Sequence, residues 1–154
     1  MSGPGAGDGS SGDGTSVRYI LEEQIGFLLR LSSQRHSTIF QDLAPRGLTP
    51  TQFSALVRLA EAGTCSQNEL GRRTAMDVAT VKGVVDRLRR KGLVTATPDP
   101  TDKRRSILRL APGHETLRAE LQTAGHAISH QTLKPLTDEE SATLLALLTR
   151  ISGL

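Results

Sequence analysis

Cysteine is almost missing from this 154-residue chain, where Cys65 stands alone. A single thiol cannot build an intramolecular disulfide framework, and the pattern suits a reducing compartment such as the cytoplasm. No apolar run approaches the ~18 residues of a membrane-spanning helix, so no membrane partner is expected. The first sixteen residues, MSGPGAGDGSSGDGTS, lack the basic start and apolar middle of a secretion signal. They read as a flexible Gly/Ser/Asp-rich tail. Also missing are a Ser/His/Asp or Cys/His constellation, a phosphate-binding loop and a paired-carboxylate motif. An enzyme is therefore not expected.

What is present suits one ordinary domain: 36% hydrophobic residues, enough for a core without being greasy. The formal net charge of +3 is unevenly spread. Between Arg72 and Arg105 stand ten Lys/Arg and four Asp/Glu, a local charge of +6 that leaves the remainder at about −3. Such asymmetry is the footprint of a surface that meets phosphate.

Periodicity divides the chain into four parts: a tail (1–16), a long N-terminal helix with its terminating turn (17–47), a central unit (48–111) and C-terminal helices (112–154). Over 17–43 the apolar positions Leu21, Ile25, Leu28, Ile39 and Leu43, with others on adjacent stripes, predict a helix with more apolar surface than one neighbour covers. Pro45 and Gly47 end it. Thr49-Pro50-Thr51-Gln52 is a capping box opening a helix to about Ala62, and Ser66-Gln67-Asn68-Glu69 opens a short one to about Thr74. Asp77 caps a third, Val78 to Lys91, closed by Gly92. A short helix, a tight turn and a second helix make a helix-turn-helix. Two strand candidates follow, 93–97 and 106–110, joined by the turn-rich basic loop 98–105, which makes a wing. Helical pattern resumes from about Pro112 to Leu133. Thr137-Asp138-Glu139-Glu140 then caps a last helix to about Ile151, with a wide face of Leu144, Leu145, Leu147, Leu148 and Ile151. The fold expected is mainly α, a winged helix-turn-helix with N- and C-terminal dimerisation helices. Apolar surface at both ends is most economically explained by a homodimer.

On helix 78–91, Val81, Val84, Val85 and Leu88 face inward, whereas Thr80, Gly83, Arg87 and Arg90 lie on one outward stripe with Lys82 nearby, and Ala79 is a further candidate DNA contact. Lysine and arginine can contact phosphate or donate to guanine edges. Gly83 either permits close approach to DNA or is merely tolerated, since an interior helix glycine costs ~1 kcal/mol relative to alanine. Lys103, Arg104 and Arg105 sit where a hairpin reaches a minor groove, whose negative potential attracts arginine. Ser66, Gln67 and Asn68 offer N–H groups and short polar side chains to a phosphate. Asp99 and Asp102 read as turn-formers, and Asp86 as a partner for a neighbouring arginine.

Three runs carry a family likeness: Asn68-Glu69-Leu70 through Val85-Asp86-Arg87-Leu88; Lys91-Gly92-Leu93-Val94; and Asp99-Pro100-Thr101-Asp102-Lys103-Arg104. On these the chain resembles the MarR family of winged-helix regulators, from residue 17 to near its end. The resemblance implies a homodimer on a pseudo-palindromic double-stranded operator, usually repressing nearby genes. It also implies Arg104 as the minor-groove arginine, with Asp102 bridging towards Arg87. Gly83 departs from the arginine that many members carry, which shifts base reading towards Lys82 and Thr80. Leu110-Ala111-Pro112-Gly113-His114 departs from the usual Leu-Thr-x-x-Gly, leaving the start of the next helix open.

The resemblance further implies a small-molecule effector, often an aromatic acid, between the dimer helices and the winged unit. Arg30 could neutralise a carboxylate and His36 could donate to it, although six helical residues turn through ~600° and set them on different faces. Phe40 and Phe53 either wall such a pocket or belong to the core. His126 and His130, spaced i, i+4, present two imidazoles that suit zinc or simply an exposed or interface face. Cys65, just before a capping box, reads as buried or half-buried and inert. The expected function is a dimeric, sequence-specific repressor with no cofactor, released by a small aromatic carboxylate. A zinc-responsive regulator of the same fold and an effector-independent DNA-binding protein are the alternatives.

Overall fold

The computed structural model describes residues 18–153; the expected tail lies outside them. Six α-helices and three short strands follow in the order α1 (Ile25–Leu43), α2 (Pro50–Ala62), β1 (Thr64–Ser66), α3 (Gln67–Arg73), α4 (Val78–Arg90), β2 (Val94–Pro98), β3 (Ser106–Leu110), α5 (Leu117–Leu133) and α6 (Asp138–Ile151). The first helix starts later than its periodicity suggests. Ile20 and Gln24 are extended, with a 3-10 turn, Leu21–Glu23, between them. No side chain caps the N-terminus of α1.

Elsewhere most of the local signals act as expected. Thr49 and Gln52 form a reciprocal capping box on α2, as do Thr137 and Glu140 on α6. Ser66 caps α3 by accepting from the Glu69 amide, but Glu69 does not reach back, because Arg73 takes its carboxylate at 2.7 Å. Asp77 Oδ1 accepts from the Thr80 amide at 2.7 Å and starts α4. Lys91 caps the end of α4, and Gly92 turns the chain at φ 71° into the wing. This is left-handed backbone that glycine adopts without strain. At the far end, Ala111-Pro112-Gly113-His114 forms a turn, so α5 begins at Leu117.

The strands make one antiparallel sheet ordered β1-β3-β2. The hairpin pairs Val94 with Leu110 and Pro98 with Ser106. β1, absent from the sequence reading, pairs Cys65 with Leu108, and both residues are buried. Three residues are too few for alternation to show against the adjoining helix caps. Leu56, Leu59, Leu70, Val81, Val84, Leu88 and Leu108 form the centre of the core, each almost fully buried, and Leu117 and Leu121 of α5 close it.

The two ends of the chain differ from this centre. α1 packs against α5, with Phe40 the buried residue of α1. α6 buries nothing. Ile25, Leu28, Leu29 and Leu31 of α1, and Leu144, Leu145, Leu147 and Ile151 of α6, are exposed.

Candidate nucleic-acid interface

The helix-turn-helix is set by a close approach. A Cβ on Gly71 of α3 would lie 3.2 Å from the Met76 carbonyl oxygen and 3.4 Å from Val81 Cγ1, so the two helices meet where only a hydrogen fits comfortably. α4 then divides by face. Val81, Val84, Val85 and Leu88 are buried, while Ala79, Thr80, Lys82, Arg87 and Arg90 are exposed and Gly83 is half-buried. Gly83 is covered by Arg87, whose guanidinium would be 3.4 Å from an added Cβ. The arginine folds back across the groove that the glycine leaves open.

The wing tip is held by its aspartates. Asp99 Oδ1 accepts from the Thr101 amide and hydroxyl at 2.8 and 2.7 Å, which holds its carboxyl below the usual carboxylate range. Asp102 Oδ1 accepts from the Arg104 amide at 3.0 Å. The expected bridge from Asp102 to Arg87 is not formed. Asp102 instead sits 3.5 Å from Arg105 and 4.0 Å from Arg104, because the tight turn keeps its carboxylate within the loop. The Arg104 side chain is 97% exposed and free to reach outward.

Ser66, Gln67, Asn68, Arg104 and Arg105 share a cleft of about 310 Å³ that Arg72 and Ser106 complete. The start of α3 and the base of the wing thus form one polar surface. Arg72 escaped the sequence reading. The signal was present in Arg72-Arg73, because Glu69 at i, i+4 claims Arg73 and leaves its neighbour free. Among the described residues no carboxylate lies within ion-pair distance of Arg72, Lys82, Arg87, Arg89, Arg90 or Lys103. A surface of this sign attracts a polyanion. The expected partner for Asp86 is likewise not found. Asp86 lines an open groove with Arg89, Arg90, Val94, Thr95 and Ala96.

The residues singled out for an effector do not converge on one cavity in the single chain. Arg30 is exposed, with its guanidinium 5.2 Å from the centre of the Phe27 ring. His36 Nδ1 lies 3.0 Å from Thr132 Oγ1 on α5. The His36 ring also tilts towards Phe40, which meets Phe53 edge-on at 5.5 Å. Phe40 lines a cleft with Leu48 and Pro50, whereas Phe53 lines a different one between α2 and α3. Arg35, not singled out from the sequence, donates to the Thr132 and Gln131 carbonyls and so caps the end of α5. His126 and His130 are both exposed on α5. Among the described residues no group of three or more His, Cys, Asp or Glu converges to hold a metal. Cys65 is buried, and desolvation, reinforced by Glu69, pushes its thiol up from the ordinary range, away from the reactive thiolate.

A basic helix in a helix-turn-helix, followed by a hairpin with a basic tip, defines a winged-helix DNA-binding fold. Residues 46–105 match the model of the MarR family. The chain is 38% identical over 86% of its length to the transcriptional repressor NicR of Pseudomonas putida, covering 85% of that protein. A probable transcriptional regulator from Pseudomonas aeruginosa superposes with a TM-score of 0.79 at 48% identity, over 86% of this chain and 99% of that one. BpsR of Bordetella bronchiseptica, whose DNA binding is regulated by 6-hydroxynicotinic acid, gives a TM-score of 0.80 at 36% identity, over 89% and 99%. The protein belongs to the MarR family of winged-helix transcriptional regulators.

Proposed function

We propose that the chain is a homodimeric repressor that binds a pseudo-palindromic operator and leaves it when a small aromatic carboxylate binds. The observation that carries the reading is the concentration of basic side chains on α3, α4 and the wing, of which Arg72, Lys82, Arg87, Arg89, Arg90 and Lys103 have no carboxylate partner among the described residues. In this reading α4 enters the major groove through Ala79, Thr80, Lys82, Gly83, Arg87 and Arg90. Lys103, Arg104 and Arg105 reach the flanking minor groove. Ser66, Gln67, Asn68 and Arg72 hold the intervening phosphate backbone.

Two copies are needed because α6 and the start of α1 expose leucine and isoleucine that a solitary chain leaves in water. An isologous pairing of these ends covers both faces at once and presents two α4 helices to one face of DNA. Support for the effector class comes from BpsR, whose regulator is a heteroaromatic acid. Arg30, His36, Phe40 and Phe53 are the candidate contacts, with the pocket completed when the second chain packs against α1.

Binding of a duplex from the gene's own promoter, titrated at several salt concentrations, tests the DNA half of the proposal. Arg104→Ala should weaken binding and reduce the salt slope by about one phosphate contact. Binding no tighter than to random duplex would sink the reading. Aromatic and heteroaromatic carboxylates should raise the melting temperature by mass action and dissociate the complex. A panel with no effect would leave an effector-independent regulator in its place.

A further inference from the structure

The turn joining α1 to α2 contains an arginine in a conformation that ordinarily favours glycine or asparagine. Arg46 has φ 58° and ψ 22°. Its guanidinium forks onto Glu120 of α5, with Nε donating to Oε2 at 3.0 Å and Nη2 to Oε1 at 2.8 Å. Thr116 donates to the same carboxylate at 2.8 Å, and together these contacts hold the Glu120 carboxyl below its usual range. The third nitrogen, Nη1, lies 3.1 Å from His114 Nδ1. His114 Nε2 lies 3.1 Å from the Gly92 carbonyl, which can only accept. The proton therefore sits on Nε2, and Nδ1 accepts from Arg46. Lys91 closes the ring by donating from Nζ to the Arg46 and Gly47 carbonyls at 3.1 and 3.2 Å.

Lys91 and Gly92 end α4, while Thr116 and Glu120 begin α5. The ring therefore ties the end of the basic helix to a helix that packs on α1, whose apolar face is exposed. We propose that Arg46 is a positioning residue: it clamps α4 to α5 and thereby fixes the separation of the two α4 helices in the dimer. Its consequence is discrimination between operators with different half-site spacings. The inference rests on the dimeric DNA-binding reading above. A half-exposed ion pair adds little stability, so the signature is geometric. A bidentate guanidinium fixes orientation as well as distance.

Arg46→Asn removes the guanidinium and keeps a residue at home in left-handed backbone. Affinities are measured for duplexes whose half-sites are moved by about one or two base pairs from the native spacing, with a single half-site as reference. The variant should lose spacing discrimination by about fivefold or more, in the range of ordinary coupling between sites, with half-site affinity and salt slope unchanged. Glu120→Gln should repeat the loss. Wild-type discrimination in both variants, or an equal loss on every duplex, overturns the proposal. Amide exchange at Lys91, Gly92 and Leu93 reads the clamp without DNA. It should quicken in Arg46→Asn, and unchanged exchange also overturns the clamp. Nitrogen NMR should show the His114 proton on Nε2, and the opposite tautomer breaks the ring. Wild-type protein that ignores the operator while these amides respond would instead refute the DNA-binding reading.

Discussion

Gly83 sits at the centre of the exposed face of α4 with the Arg87 guanidinium lying over it. A glycine inside a helix costs backbone entropy, so Gly83→Ala should stabilise the protein by about 0.5–1 kcal/mol in denaturant unfolding. The new methyl would make ordinary van der Waals contact with the tip of a flexible side chain, so the fold tolerates it. Operator affinity should fall because the methyl fills the groove left open for close approach to DNA; unchanged affinity would mean that the glycine is only tolerated. Asp77 makes a different kind of local statement. The hydrogen bonds that the Thr80 amide and hydroxyl give it hold its carboxyl below the usual carboxylate range. Its folded value is thus lower than its unfolded one, and its contribution is present above the unfolded value. That contribution is lost as pH falls through the folded value. Asp77→Asn keeps a good N-cap without the titration. The fall in melting temperature between about pH 5 and pH 2 should be shallower in this variant, and an identical acid profile would refute the assignment.

At the scale of elements, the helix-turn-helix depends on how closely α3 and α4 approach. Gly71→Ala sets a methyl 3.2 Å from the Met76 carbonyl, which is backbone and cannot swing aside. The variant should lose about 1–2 kcal/mol, overpacking outweighing the helix propensity gained. An unchanged unfolding midpoint would show that the turn relaxes. The wing illustrates the opposite regime. Its tip is held by short-range bonds from Asp99 and Asp102, so its shape owes little to the core. It projects arginines from a hydrogen-bonded turn, which should cost less ordering entropy on binding than a loop without such bonds.

For the whole molecule, the decisive feature is apolar surface that one chain leaves uncovered. Leu145 on α6 is 52% exposed and touches no core, so Leu145→Asp should leave the monomer's fold intact. It should dissociate the dimer in sedimentation, and weaken binding to a palindromic operator far more than to a half-site. Unaltered sedimentation would place the interface elsewhere. In the proposed dimer the ends of the chain convert a winged unit into a two-headed reader, and the proposed clamp between α5 and the end of α4 sets how the heads are held.

The sequence alone determined the helices α2 to α4, their caps, the hairpin and the location of the excess positive charge. The helices and caps depend on residues within about four positions of one another, where periodicity and capping act directly, and the hairpin on two adjacent strand-like runs joined by a short turn-rich loop. The outward face of α4 was legible for the same reason, and the burial of Cys65 could be expected from its place just before a cap. Only the tertiary structure decided that β1 joins the sheet, that Arg72 meets the wing base, and that Asp102 stays within its loop. It likewise decided that His36 meets Thr132, 96 positions away, and that Arg46 meets Glu120, 74 positions away. Such pairings arise where packed elements bring distant backbone together, and no local pattern along the chain encodes that approach.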